Sequence, residues 1–115
     1  VYDKGHMAPA ADFNCTKEML YKTFSYVNCA LQNQYLNRGV WKMLEVQERV
    51  WAINEMVSVT IRVIFTDGSS KLPTGATIPV GFLKTIYLHN TKKTYSFYFE
   101  NIKPIKPSYL NYQIN

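Results

Sequence analysis

The residues of this chain that could do chemistry gather in its first half. His6 follows a glycine near the start, Asn28 and Asn37 come next, and Glu45 closes the set. An imidazole titrates near neutral pH and can take a proton from water. Amide and carboxylate oxygens suit a hard divalent cation. Asn37 and Glu45 are eight residues apart, a little over two helical turns, with Trp41 midway, so on one continuous helix both lie near one face. Together the four could form a metal–phosphate site. Spacing alone favours a plainer account: a solvated histidine, a capping asparagine and an exposed helix acid.

The elements that must position these residues can be read along the chain. Residues 1–13 read as irregular or short strand, since Ala8-Pro9 disfavours helix. Gly5-His6 reads as a short turn. Thr16 is a plausible N-cap for a helix over 17–23, and Phe24–Leu31 reads as a strand that places Asn28 at its end. Leu36, Val40, Met43, Leu44, Val50 and Trp51 recur at helical spacing and predict one long helix over 36–55. Gly39 near its start costs about 1 kcal/mol against Ala, a hint that something approaches the backbone there. Residues 57–65 alternate apolar and polar and form the clearest strand. Residues 81–89 and 94–101 predict a hairpin turning at 90–93. The tail over 103–115, with two prolines, reads as surface-wrapping.

The bulk numbers bound the function. A length of 115 residues supports one domain. Thirteen basic against eight acidic residues give a net charge of +5, which suits a polyanionic partner without establishing one. No apolar run approaches a membrane-spanning length, which points to a soluble or peripheral protein. Cys15 and Cys29 lie far apart with no CxxC, so free thiols are the default reading and a metal site from them is not expected. His89 reads as solvated, Trp41 and Trp51 as core, and the aromatic run Tyr95, Phe97, Tyr98, Phe99 as sheet core and edge. For Lys42 and Arg38, phosphate contact and a solvated helix face are equally good readings.

Two blocks of sequence add a resemblance. "YDKGHMAPAADF" resembles the D-R-G-H-x-A-P-A-A-D motif of the DNA/RNA non-specific endonucleases, the ββα-metal nucleases of the mitochondrial endonuclease G type. Asp3, Gly5, His6, Ala8, Pro9, Ala10, Ala11 and Asp12 match it. "FSYVNCALQNQYLNRGVWKMLE" is similar to the family's second block through Asn28, Gln32, Leu36, Asn37, Trp41, Leu44 and Glu45. "ATIPVGFLKTIYL" is similar to a later strand of the family. Lys4 stands where the family has Arg, and Leu31 where it has Pro.

The resemblance implies an α+β, ββα-metal (His-Me finger) fold, with a mixed, mainly antiparallel sheet and one long metal-site helix. It implies a Mg²⁺-dependent, sugar-non-specific endonuclease that hydrolyses phosphodiester bonds of DNA and RNA. His6 corresponds to the general base and Asn37 to the ligand of a single Mg²⁺, with Mn²⁺ as an alternative. Glu45 corresponds to an acid at the ion's water shell, Asn28 to a residue that positions base and phosphate, and Lys4 to a substrate contact; Arg38, by its place beside Asn37 on the helix that would bear the metal and not by a motif match, is the second expected substrate contact. Asp3 would support the turn that presents His6. A free enzyme of this kind would be a homodimer, and its compartment, by resemblance only, the mitochondrion. Family members carry strands and a phosphate-binding Arg ahead of the first block, where this sequence has only Val1 and Tyr2. The single domain over 1–115 therefore reads as the C-terminal portion of the family domain. The competing expectation is a retired nuclease homologue that serves as a structural subunit of a larger assembly.

Overall fold

The computed structural model describes residues 2–6, 29–73 and 75–115, and at positions 5, 6 and 29 the backbone alone. The expected 17–23 helix with its Thr16 cap, Cys15, and the 24–28 part of the expected strand, Asn28 included, lie outside the described residues. The chain begins with two antiparallel strands, β1 (Tyr2–His6) and β2 (Cys29–Asn33). Helix α1 (Gln34–Arg38) follows β2 directly and packs on both strands. Helix α2 (Val40–Trp51) continues from it. A separate antiparallel sheet then forms from β3 (Val57–Ile64), β4 (Gly81–Leu88) and β5 (Lys93–Glu100), in that order.

Two expectations change here. Of the two readings for the start of the chain, Tyr2–His6 takes the strand, in register with 29–33, and Gly5-His6 ends that strand opposite Ala30 and Cys29 where a short turn was expected. Pairing decides this, because the polar residues of β1 offer no local strand signal while β2 supplies a full ladder. The long helix is broken at Gly39, which ends α1 and begins α2. A Cβ at Gly39 would sit 2.6 Å from the Tyr35 carbonyl oxygen. The close approach foreshadowed by this glycine is thus to its own helix backbone, and any side chain would force the turn apart.

The core follows from alternation. On β4 the inward residues are Phe82, Lys84, Ile86 and Leu88, and the register places them beside Val63, Ile61, Val59 and Val57 on β3. On the other side Phe82, Lys84 and Ile86 meet Phe99, Phe97 and Tyr95. Helix α2 lays Val40, Trp41 and Leu44 on this face. Trp41 is wholly buried, with ring centroids of Phe82 and Phe99 each at 5.5 Å. Trp51 stacks on Tyr95 at 5.2 Å.

Among the described residues, the one cation on that apolar face is matched. Lys84 Nζ donates to Glu48 Oε2 of α2 at 2.7 Å and lies 4.1 Å from the centroid of Trp41. Burial pushes the Lys84 ammonium down from its ordinary pKa, and the charges of Glu48 and Glu45 oppose that shift. The pair locks the register of α2 over the sheet, since neither group has water to turn to.

The tail covers the β5 edge. Ser108 caps a 3-10 turn over Tyr109–Tyr112. Phe97 bridges Gln113, and the Ile114 N–H donates to the Ser96 carbonyl. These bonds pair backbone groups that a bare edge strand would leave open. Among the described residues no helix is long and apolar enough to cross a membrane.

Candidate active site

The first two strands and α1 form a small ββα unit, and sequence explains how it closes. The Asn33 side chain accepts from the Tyr35 and Leu36 N–H groups at 2.9 and 3.3 Å, so β2 turns straight into a capped helix. Leu36 is buried beneath α1, which leaves Asn37 and Arg38 on the side of β1. There Asp3 gathers them. Asn37 Nδ2 donates to Asp3 Oδ2 at 2.9 Å. Arg38 Nε donates to the same oxygen at 3.0 Å, and its Nη2 to Asp3 Oδ1 at 2.8 Å. The hydrogen bonds from Asn37 and Arg38, with the guanidinium charge, hold the Asp3 carboxyl below its usual pKa.

The chemistry of this contact orients the amide. An ionised carboxylate only accepts, so the nitrogen of Asn37 must face it. The Asn37 oxygen then points away, and among the described residues it accepts no hydrogen bond. A neutral oxygen held by a second residue behind it is a fitting ligand for a hard divalent cation. No three of His, Cys, Asp and Glu form a metal-holding cluster among the described residues.

A second device seats the unit on the main sheet. Asn101, just past β5, is buried. Its Oδ1 accepts the Asn33 N–H at 2.6 Å, and its Nδ2 donates to the carbonyls of Leu31 and Pro79, both at 2.9 Å. One side chain therefore ties β2 to the loop that enters β4. Gln32, paired with Asp3 across the strands, is fully buried, and among the described residues both its amide atoms lack a hydrogen-bond partner.

The sequence-predicted site residues fall as follows. Asn37 and Arg38 meet at Asp3. His6 closes β1, and its side chain lies outside the described part of the molecule, as does Asn28. Glu45 sits half-buried on α2, across the Gly39 break from Asn37, near enough to Lys84 to act on its charge. Lys4 is exposed on β1 opposite Leu31. Asp3 binds α1 through Asn37 and Arg38, where it was expected to brace a turn. Asn101 and the Lys84–Glu48 pair were missed, since nothing local marks a partner 70 or 36 residues distant.

Comparisons with known proteins bear on the family and the fold. A family model described as DNA/RNA non-specific endonuclease matches residues 1–115. A search of curated proteins gives no match. Among solved structures, the crystal structure of the EndoG/EndoGI complex, which concerns EndoG inhibition, is similar to this chain at a TM-score of 0.64 and 22% identity. The likeness covers 99% of this chain and 54% of the other, so the chain spans about half the length of that neighbour.

Proposed function

The chain belongs to the DNA/RNA non-specific endonuclease family, a metal-dependent nuclease family, and from that premise we propose that it is a Mg²⁺-dependent endonuclease cutting DNA and RNA without regard to the sugar. The observation that carries the reading is the Asp3–Asn37 hydrogen bond. It fixes a neutral amide oxygen outward from a capped, well-anchored helix.

Asn37 is the residue that would hold the ion. Bound there, Mg²⁺ would supply positive charge for the phosphorane and the departing 3′ oxygen. Asp3 keeps the amide oriented and neutralises Arg38, whose remaining guanidinium donors can approach a phosphate. His6 takes the proton of the attacking water as its oxygen bonds to phosphorus and the bond to the 3′ oxygen breaks. Neutral imidazole is the competent form, so activity rises with pH through the His6 titration. Glu45 serves as an acceptor that orders water beside the ion, Asn28 positions base and phosphate, and Lys4 gives the incoming strand a point charge. A mitochondrial location follows by analogy with the endonuclease G type, and fractionation of tagged protein tests it.

The experiment is cleavage of supercoiled plasmid and of single-stranded RNA with and without Mg²⁺. Both substrates should be degraded, EDTA should stop the reaction, and His6→Ala should abolish it with circular dichroism unchanged. A folded protein that cuts neither substrate overturns the proposal. If that inert protein co-purifies in fixed ratio with other subunits, it is a retired homologue.

A further inference from the structure

Helix α1 turns Leu36 into the core and its other side chains outward. Tyr35 and Arg38 are exposed, and Asn37 is half-buried. Asn37 and Arg38 share one carboxylate oxygen of Asp3, at 2.9 and 3.0 Å. Tyr35 and Arg38 stand three residues apart, which makes them neighbours on a helix surface, about 5–6 Å apart at Cβ. The outer arc of α1 thus runs from the candidate metal ligand, past a guanidinium, to an aromatic ring that is 54% exposed.

The end of β5 brings a second cation to that ring. Lys103 Nζ lies 4.9 Å from the Tyr35 centroid, within the range of a cation–π contact. Asn101, two residues earlier, fixes its place. The side chain of Asn101 accepts the Asn33 N–H and donates to the Leu31 and Pro79 carbonyls, so the asparagine that seats β2 also sets Lys103 beside α1.

The acids around this arc leave a cation over. Asp3 answers Arg38, whose guanidinium is 68% exposed and keeps donors beyond the two that Asp3 takes. Glu100 and Lys106 line one cavity with Leu36, which therefore carries one charge of each sign. Lys103 is exposed, and among the described residues it makes no ion pair. A ring with an ammonium against it, beside a guanidinium with free donors, suits one class of ligand. Phosphate meets the cations and a base stacks on the ring. In a duplex the bases stack on one another and offer no open face, so the ligand is single-stranded.

We propose that Tyr35 and Lys103 form a subsite for an unpaired nucleotide of a single-stranded nucleic acid. The base takes the face of the Tyr35 ring, the Lys103 ammonium moves to the phosphate beside that base, and Arg38 meets the phosphate nearer Asn37. This placement rests on the nuclease reading, which puts the scissile phosphate at Asn37, and adds a substrate feature to it. Tyr35 gives single strands an advantage that a duplex does not share. Deoxyribose and ribose strands gain alike, because the ring reads the face of a base and not the 2′ position.

The test reads binding apart from cleavage, in EDTA, by fluorescence anisotropy of dye-labelled probes against the intact protein. The probes are a short oligothymidylate, an abasic strand of the same length and a duplex of the same length. The oligothymidylate should bind about tenfold more tightly than the abasic strand, which keeps the phosphates and lacks the bases. Tyr35→Ala should remove about tenfold of the oligothymidylate affinity, leave the other two probes unchanged and leave circular dichroism unchanged, while Tyr35→Phe keeps the wild-type pattern. Lys103→Ala should weaken the oligothymidylate and the abasic strand alike and lower the salt slope of binding by about 0.7, and Lys103→Arg should restore both. Equal binding of oligothymidylate and abasic strand overturns the proposal. So does a Tyr35→Ala variant that loses nothing, or that loses affinity for all three probes equally. An oligothymidylate that binds with the expected pattern and stays whole when Mg²⁺ replaces EDTA supports the subsite and overturns the catalytic reading alone.

Discussion

The Asp3 carboxylate stands behind Asn37, accepting from its amide nitrogen at 2.9 Å while taking a two-pronged grip from Arg38. A strand residue thus determines which atom of a helix residue faces outward, across 34 positions of sequence. The account of catalysis depends on that orientation.

Asn37→Asp tests whether the amide itself matters. The substitution sets a second carboxylate against Asp3, and like charges at hydrogen-bond distance repel, so one must take up a proton or swing away. We expect cleavage to fall by about 100-fold although a carboxylate is ordinarily the stronger ligand. Asp3→Ala should weaken metal affinity or activity by about 10- to 100-fold, the range seen when a ligand loses its orienting partner. Its effect on stability should stay within about 1 kcal/mol, because Arg38 is largely exposed. Initial rates as a function of Mg²⁺ concentration, beside urea denaturation, separate the two effects.

The Asp3 carboxyl also predicts a pH response. Its folded pKa lies below the ordinary 3.8. The unfolded chain therefore binds the proton more readily, and the stabilisation is fully present above that value. It is lost as pH falls through the lower, folded pKa. The Asn37 and Arg38 side-chain signals in NMR spectra should hold their positions down to about pH 4 and move only below it. Asp3→Asn should remove that transition.

Much of the scaffold was legible in the sequence, and the reasons are local. Val57–Ile64 alternates because one face of β3 packs on α2 while Ser58, Thr60 and Arg62 meet water. The hairpin of β4 and β5 announced itself through two apolar runs around a polar turn. The helical period from Leu36 onward was real, but Gly39 interrupts it, and periodicity is blind to a kink that preserves phase on both sides. Strand β1 was legible only as one of two readings, because pairing with residues 29–33 makes it a strand. Motif resemblance brought Asp3 and Asn37 to notice as single residues, and Arg38 stood out only as a cation on the same helix. Their mutual contact, and the role of Asn101, come only from folding.

Gly39→Ala distinguishes propensity from geometry. Helix propensity alone promises a gain of about 1 kcal/mol. The added Cβ would press on the Tyr35 carbonyl oxygen at 2.6 Å, and a backbone atom cannot move aside cheaply. We expect a loss of about 1 kcal/mol or more, together with reduced cleavage because α1 carries Asn37. Urea unfolding monitored by Trp fluorescence reads the sign.

The buried pair makes a sharper stability claim. Glu48→Gln leaves Lys84 charged in an apolar core and should cost about 3–5 kcal/mol. Replacing both partners, with Glu48→Leu and Lys84→Met, should recover most of that loss, because matched apolar groups need no solvation. Without Glu48 the Lys84 ammonium is further disfavoured, so the single variant should regain stability as pH rises toward 10.

Asn101→Ala should cost about 2–3 kcal/mol, since it strands the Asn33 N–H and the Leu31 and Pro79 carbonyls. Hydrogen exchange should show β1, β2 and α1 losing protection before β3 to β5.

The most direct measurement is a crystal structure of the protein soaked in Mn²⁺ as a scattering substitute for Mg²⁺. The account predicts an anomalous peak about 2.1–2.3 Å from the Asn37 side-chain oxygen, with Asp3 still bonded to the amide nitrogen and the His6 ring across an open gap. An ion bound elsewhere, an Asn37 amide turned the other way, or a His6 ring on the opposite side of the ββα unit would contradict it.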